Sequence, residues 1–448
     1  MEKLFKLKEH GTTVRTEIMS GITTFLAMAY ILAVNPSILG EVMNASGVFV
    51  ATALASAIAT FIMAFLANYP IALSAGMGLN AYFAYTVCLG ELGGEADAFT
   101  IALTAVLVEG IIFILLSAFK FREQIVNSIP QNLKFGITAG IGLFIALIGL
   151  IGAKIVIPDA STTVALGNFG SAEVVLCLVG LLVIVILNHY KVKGAILLGI
   201  IATWLLGMAA QAAGWYTAGN VFPDFSAGLQ LGGLADTAFK FNFGWVGSHL
   251  IQFIAITFSF LFVDLFDTVG TVVGVADQAN LLDKDGKLPR VGKVLMADAV
   301  GTVAGACLGT STITSFVESS AGVAVGGKTG LSAATTGVLF LLALVLSPLF
   351  LAIPSFATAP ALIYVGMLML SSITRMNFKG DAADAIGGYL AVLVMPLTYS
   401  IANGIMFAVL SWVIVKVCIG KVKDIHPIMW VIFVLFGLRI ASLVTGFM

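Results

Sequence analysis

The sequence predicts a polytopic all-α membrane protein built from two halves, and three observations carry that expectation. Of the 448 residues, 60% are hydrophobic and 10% charged, against about 25% charged in a soluble domain, and the mean hydropathy is +1.08. The apolar residues fall into separate runs close to the ~20 residues a helix needs to cross a bilayer, not the short alternating segments of a membrane barrel. Two of those runs, at matching places in the two halves, are interrupted by small polar residues.

The chain opens with MEKLFKLKEHGTTVRTE, which is polar and lacks the early apolar stretch of a cleavable signal. Apolar runs follow at 17–34, 48–67, 71–89, 98–119, 135–151, 173–189 and 194–210. A wetter stretch, 211–245, carries Asp224, Asp236 and Lys240. The second set lies at 246–274, 294–309, 312–327, 331–352, 359–372, 385–398, 401–418 and 427–446. The runs at 385–398 and 401–418 flank MPLTYSIANG, with Pro396 and Gly404, and read as a pair of half-length helices that enters and returns on the cytoplasmic side.

Basic residues in short loops set orientation. Lys3, Lys6, Lys8 and Arg15 put the N-terminus in the cytoplasm of a plasma-membrane protein; Lys120, Arg122 and Lys134, then Lys191 and Lys193, then Lys284, Lys287, Arg290 and Lys293, then Arg375 and Lys379 mark the even-numbered loops. The 211–245 loop is then external. Seven segments is an odd number, so two such halves insert with opposite orientation, the pattern of an inverted repeat. An internal match supports it: IPQNLKFGITAGIGLF (129–144) against IPSFATAPALIYVGMLML (353–370), each an Ile-Pro step followed by a small-residue helix.

The net charge of −1 gives no basic patch for nucleic acid. Cys88, Cys177, Cys307 and Cys418 are scattered in apolar runs without metal or disulfide spacing. No cofactor is implied beyond a coupling proton.

The third segment of each half carries the chemistry. The first reads YPIALSAGMGLNAYFAY (69–85), the second GTSTITSFVESSAGVAV (309–325). Each starts extended, meets a small-residue break and continues as a short helix. Non-helical backbone at membrane depth is tolerated only against protein or a wet cavity, and paired interruptions of this kind point to a transport site. Ser315–Glu318 has the spacing of a capping box, which starts a helix near Ser315.

Asp264 and Asp267, in FLFVDLFDTVGTVVG, are three apart on one helical face. A charge at the centre of a span costs ~2.5–3.5 kcal/mol on insertion scales, so both must look into protein or water. Asp298 opens the ninth segment near the cytoplasmic loop and reads as structural, as Asp264 does in part; the role of Glu109 is open. Glu173, Lys154 and Arg439 lie near segment ends, where snorkelling explains them, and His189 sits at a cytoplasmic edge.

GTTVRTEIMSGITTFLAMAYILAVNP, YPIALSAGMGLNAYFAY, FLFVDLFDTVGTVVG, GTSTITSFVESSAGVA and HPIMW together resemble the AzgA-like purine permeases of the nucleobase–cation symporter-2 (nucleobase/ascorbate transporter) family. The resemblance implies fourteen segments in two inverted halves of seven, a core domain, a gate domain, and short strands in the third and tenth segments. On this chain that gives a first repeat over 1–210 (core 13–120, gate 121–210), the connecting loop 211–245, and a second repeat over 246–448 (core 246–352, gate 353–448). The fifteenth run departs from fourteen. The motifs carry substrate binding onto Glu318, Asp267, Asn80 and Gly78, with Phe316 against the base and Thr24 as a weaker candidate. Asp264, Asp298 and Ser315 would support them.

A purine offers N–H donors, ring acceptors and a flat face. A carboxylate, strand amides with Asn80, and Phe316 match these in turn. The expected function is proton-coupled purine uptake, hypoxanthine/guanine type preferred with adenine the other choice, with Asp267 the first and Glu318 the second proton carrier. The alternative is an anion transporter or channel on the same scaffold, since helix N-termini suit anions; several carboxylates in one place oppose it. An intramembrane enzyme lacks any nucleophile–base pattern. A homodimer is compatible with the sequence, which does not set the oligomeric state.

Overall fold

The computed structural model describes residues 2–118, 128–226, 231–278 and 289–445. Fifteen apolar runs become helical segments. They are α1 (Val14–Met28) with α2 (Ile31–Leu39), α3 (Ala45–Ile62), strand β1 (Leu73–Ala75) with α4 (Met77–Ala81), α5 (Ala98–Ala118), α6 (Gln131–Gly152), α7 (Ala172–His189) and α8 (Ala195–Ala212). The second set is α9 (Leu250–Gln278), α10 (Val291–Leu308), strand β4 (Ile313–Ser315) with α11 (Ser319–Val323), α12 (Gly330–Ala343), α13 (Ser355–Leu370), α14 (Ala382–Leu397), α15 (Ile401–Cys418) and α16 (Pro427–Thr445). Among the described residues, ten helical stretches are long and apolar enough to cross a membrane.

Two groups of helices pack within themselves. α5 and α3 lie on α10, α12 lies on α1 and α3, and α11 lies on α1. Separately, α6 lies on α13 and α14, α7 on α8 and α13, and α14 on α15. The α6–α13 contact joins the two helices of the internal sequence match. A Cβ built on Gly142 meets the Gly366 carbonyl at 2.6 Å, and one built on Gly366 meets the Gly142 carbonyl at 2.5 Å. Gly142 lies twelve residues after Pro130, and Gly366 twelve after Pro354. The small residues let the backbones touch at equivalent points.

The structure corrects several sequence expectations. α14 and α15 are 16 and 18 residues long, or about 24 and 27 Å at 1.5 Å per residue, so they are not half-length. Pro396 sits at the end of α14 and does not shorten it, while Asn403 and Gly404 lie inside α15, whose N-cap Ser400 accepts from the Asn403 amide. The interruption is only a turn at 398–400, with Tyr399 left-handed at φ 53°. Between α6 and α7 the chain forms a hairpin, β2 (Val156–Asp159) with β3 (Thr163–Leu166), that the segment reading passed over. Arg439 does not snorkel: it is buried on α16, its guanidinium lies 2.7 Å from Glu91, and it donates to Ser259 on α9. Lys154 and Glu173 do stand at helix ends, and they pair at 2.7 Å. His189 closes α7, exposed.

Candidate functional site

β1 and β4 meet antiparallel, with Leu73 opposite Ser315, Ser74 opposite Thr314 and Ala75 opposite Ile313. The Gly76 amide donates to the Thr312 carbonyl at 3.2 Å, and the Phe316 amide to the Ala72 carbonyl at 3.0 Å. An isolated two-stranded ribbon is marginal in water, and buried polar edges cost more still. Threonines on neighbouring helices satisfy those edges. Thr60 on α3 donates to the Leu73 carbonyl at 3.1 Å and accepts from the Leu73 amide at 3.0 Å. Thr302 on α10 donates to the Ile313 carbonyl at 3.0 Å. Each strand is thus held by a hydroxyl from the helix that precedes it.

The stretch Thr310–Thr314 gathers buried polar side chains from across the molecule. Thr310 accepts from Asn35 of α2 at 2.9 Å, and Asn35 also donates to Thr52 at 2.7 Å. Ser311 donates to Asn80. Thr312 donates to Glu109 of α5 at 3.0 Å. Thr314 lies 2.8 Å from the hydroxyl of Thr268 on α9. That same hydroxyl lies 3.0 Å from Asp264 Oδ1 and 2.9 Å from Asp298 Oδ1. A threonine hydroxyl has one proton to give, so Thr268 can donate to only one of these carboxyl groups at a time. Asp264, Asp298 and Glu109 are all fully buried. Asp298 lies well inside α10, as its eighth residue, rather than at its opening.

Past β4 the chain departs from the capping box. Ser315 is committed to the pairing with Leu73, and the helix starts four residues later at Ser319, with Glu318 as its N-cap. The strand pairing wins because it satisfies main-chain groups that a later-starting helix leaves behind. Among the described residues the Ser315 hydroxyl, which is buried, has no hydrogen-bond partner. Glu318 makes no side-chain cap bond. Its carboxylate instead accepts from the phenol of Tyr30, in the turn between α1 and α2. Tyr30 is fully buried, Glu318 half-buried, and the neighbouring Val317 is 47% exposed. The Ser319 hydroxyl accepts from the Ala72 amide at 3.0 Å, which ties α11 back to the first break.

The remaining predicted residues surround this centre. Asn80 is fully buried in α4, held by Ser311 and donating weakly to the Ala75 carbonyl at 3.4 Å. Gly78 lets α4 approach α6 and α15: a Cβ there would meet Ile141 at 2.9 Å and Ile401 at 3.5 Å. Phe316 is buried in the main apolar core. Thr24, on α1, is buried, and its hydroxyl has no hydrogen-bond partner among the described residues. It abuts α11, where a Cβ on Gly322 would lie 2.1 Å from the Thr24 oxygen. The side chain of Asp267 lies outside the described residues; its backbone continues the helix between Asp264 and Thr268. Sequence reasoning missed Tyr30, Thr268 and Asn35. The polar NP pair beside AMAYILAV and the hydroxyl of DTVG were the available signals.

The two packing groups of long apolar helices, with the strand pair between them, make up one overall fold. Solved structures share it: the transmembrane domain of a cyanobacterial bicarbonate transporter, BicA, superposes with a TM-score of 0.66 at 14% identity, covering 88% of this chain and 97% of that one. SLC26A9 does so at 0.63 and 12% identity, covering 90% and 65%. Residues 15–407 match the sequence profile of a family described as the Permease family. The chain belongs to these permeases, the nucleobase–cation symporter-2 family. It is 46% identical to the guanine/hypoxanthine permease PbuO of Bacillus subtilis over 440 residues, covering 98% of this chain and 99% of that one. It is 40% identical to the adenine permease AdeP of Escherichia coli over 441 residues, covering 98% and 96%.

Proposed function

We propose that the protein carries purine bases into the cell across the plasma membrane, coupled to protons, with hypoxanthine and guanine preferred over adenine. The carboxylate of Glu318, at the tenth-segment break and held by the Tyr30 phenol, is the observation that carries this reading. A carboxylate is an acceptor for ring N–H groups, and the high identity to a guanine/hypoxanthine permease over nearly the whole chain supports the substrate class.

In this reading Glu318 grips the base, Phe316 covers its face, and Asn80, Gly78 and Thr24 shape the surround. Asp267 carries the proton, with Glu318 second. Fourteen segments form the two inverted repeats, α16 is additional, and the N-terminus is cytoplasmic. The equal spacing of Gly142 and Gly366 from their prolines supports the repeat. The two packing groups are the core and the gate, and their relative movement changes access. The likeness to BicA and SLC26A9 is one of fold; buried carboxylates at Glu109, Asp264 and Asp298 oppose an anion as cargo.

Uptake of radiolabelled hypoxanthine into proteoliposomes tests it. Unlabelled guanine should compete more strongly than adenine, and pyrimidines weakly. A protonophore should remove accumulation. Sulfate or bicarbonate uptake without purine uptake would sink the proposal.

A further inference from the structure

We infer that Tyr30 is a positioning residue that aims Glu318 at the base. This rests on the reading of Glu318 as the base-binding group. Among the described residues, the only side-chain hydrogen bond to Glu318 comes from Tyr30. α11 has five residues and takes no cap bond from Glu318, and the chain before it is committed to β4.

Burial fixes which side each group occupies. Tyr30 has no exposed surface, whereas Glu318 is half-buried. The phenol is enclosed in packed protein, so a ligand reaches Glu318 from a side the phenol does not occupy. Tyr30 itself does not meet the base in this arrangement. A phenol has one O–H and keeps it at neutral pH, so this donor is present throughout the working range. It binds Oε1 and leaves Oε2 and the remaining lone pairs for ring N–H groups. A carboxylate pinned in one rotamer meets a flat heterocycle without first being ordered.

The location of Tyr30 adds a mechanical link. It stands at the junction of α1, which packs on α11 and α12, and α2, which packs on α3, α4 and β1. The aim of the carboxylate at the tenth-segment break is thus set by the first segment, across 288 residues of chain.

Tyr30→Phe keeps the ring and removes the O–H. Its apparent KM for labelled hypoxanthine should rise about tenfold, the loss expected for one hydrogen bond to a charged group, while the maximal rate stays within about twofold. In equilibrium binding to purified protein, the same change placed on Glu318→Gln should cost less than about threefold, because the group it acts through is already altered. A wild-type KM in Tyr30→Phe overturns the inference, as does a fall in maximal rate at unchanged KM, or an equal loss of binding in both backgrounds. Should Tyr30→Phe not yield monodisperse protein, Tyr30→His, which keeps a ring N–H donor, is read instead: a KM nearer to wild type than that of Tyr30→Ala supports the role, and equal KM values for the two oppose it. Normal binding by Glu318→Gln removes the reading of Glu318 itself; a defective Glu318→Gln beside a normal Tyr30→Phe removes only the role of Tyr30.

Discussion

The two interrupted segments are built alike and finished differently. Both run from a three-residue strand into a helix, Met77–Ala81 continuing as a π-helix to Glu91 in the first and Ser319–Val323 in the second, and both strands are anchored by a threonine from the preceding helix. After β1 the polar residue, Asn80, is sealed inside and spends its side chain on Ser311 and a main-chain carbonyl. After β4 the polar residue, Glu318, is half-buried and accepts from one hydroxyl. The first break is a backstop that completes the ribbon; the second ends in a carboxyl group met by one phenol. Equivalent backbone does not imply equivalent duty, because what each side chain does depends on whether its hydrogen-bonding capacity is already consumed.

The largest test of that contrast is chemical. Glu318→Gln should cut hypoxanthine uptake about 100-fold or more, as expected where a site is built around an ionic hydrogen bond, with the melting temperature little changed. Uptake near wild type would erase the distinction between the breaks. Next comes packing. Gly322→Val should prevent folding or cost well over ~3 kcal/mol, since even a Cβ would meet the Thr24 oxygen and, at 2.7 Å, the Ser20 carbonyl. Gly78→Ala, whose Cβ would meet the γ-methyl of Ile141 at 2.9 Å and the δ-methyl of Ile401 at 3.5 Å, should cost about 1–3 kcal/mol. Equal thermal stability of the two variants in fluorescence-detected unfolding would show that the breaks are equally tight.

Asn80→Ala should cost about 1–3 kcal/mol, by leaving Ser311 without its acceptor, and show mainly as lower stability, with KM shifted less than in Glu318→Gln. A KM shift as large as that of Glu318→Gln would make Asn80 a direct ligand instead. The smallest effect lies far from either break. Asp381 caps α14 and receives Lys421 at 2.6 Å and Lys416 at 3.0 Å. The hydrogen bond from Lys421, with that from Lys416 and the Ala383 amide, holds its carboxyl well below its ordinary value of 3.8. A lowered folded-state value means the contribution is complete above about pH 4 and fades as pH falls through the lower value. Asp381→Asn should therefore lower the melting temperature by a constant few degrees from pH 5 to 8, with the gap closing only in stronger acid. A gap that changes between pH 6 and 8 would assign the effect to another group.

The spans were legible because apolar length is a one-dimensional property, and so were both breaks, since GMGLN and TSTITSF interrupt it. That Glu318 and Asp264 had to be supported was legible from the cost of burying charge. Their partners were not. Tyr30 lies 288 positions from Glu318 and looks like any aromatic in an apolar run. Thr268 is one of many threonines, and only the convergence of α9, α10 and β4 sets it between two carboxylates. The capping-box reading failed because local spacing does not reveal that a distant strand will claim Ser315. Arg439 was placed by its distance from the segment end, and its ion pair comes from Glu91, 348 residues away.

The reciprocal contact of Gly142 and Gly366 has the form of an isologous patch, in which a surface meets its own counterpart. Here both copies belong to one polypeptide, so the seam closes on itself and leaves no second face for stacking. Scission within 213–226, which no strand or helix of the two packing groups occupies, would leave two fragments with complementary glycine seams. Such fragments, made together in one cell, should find each other along α6 and α13 without a covalent tether.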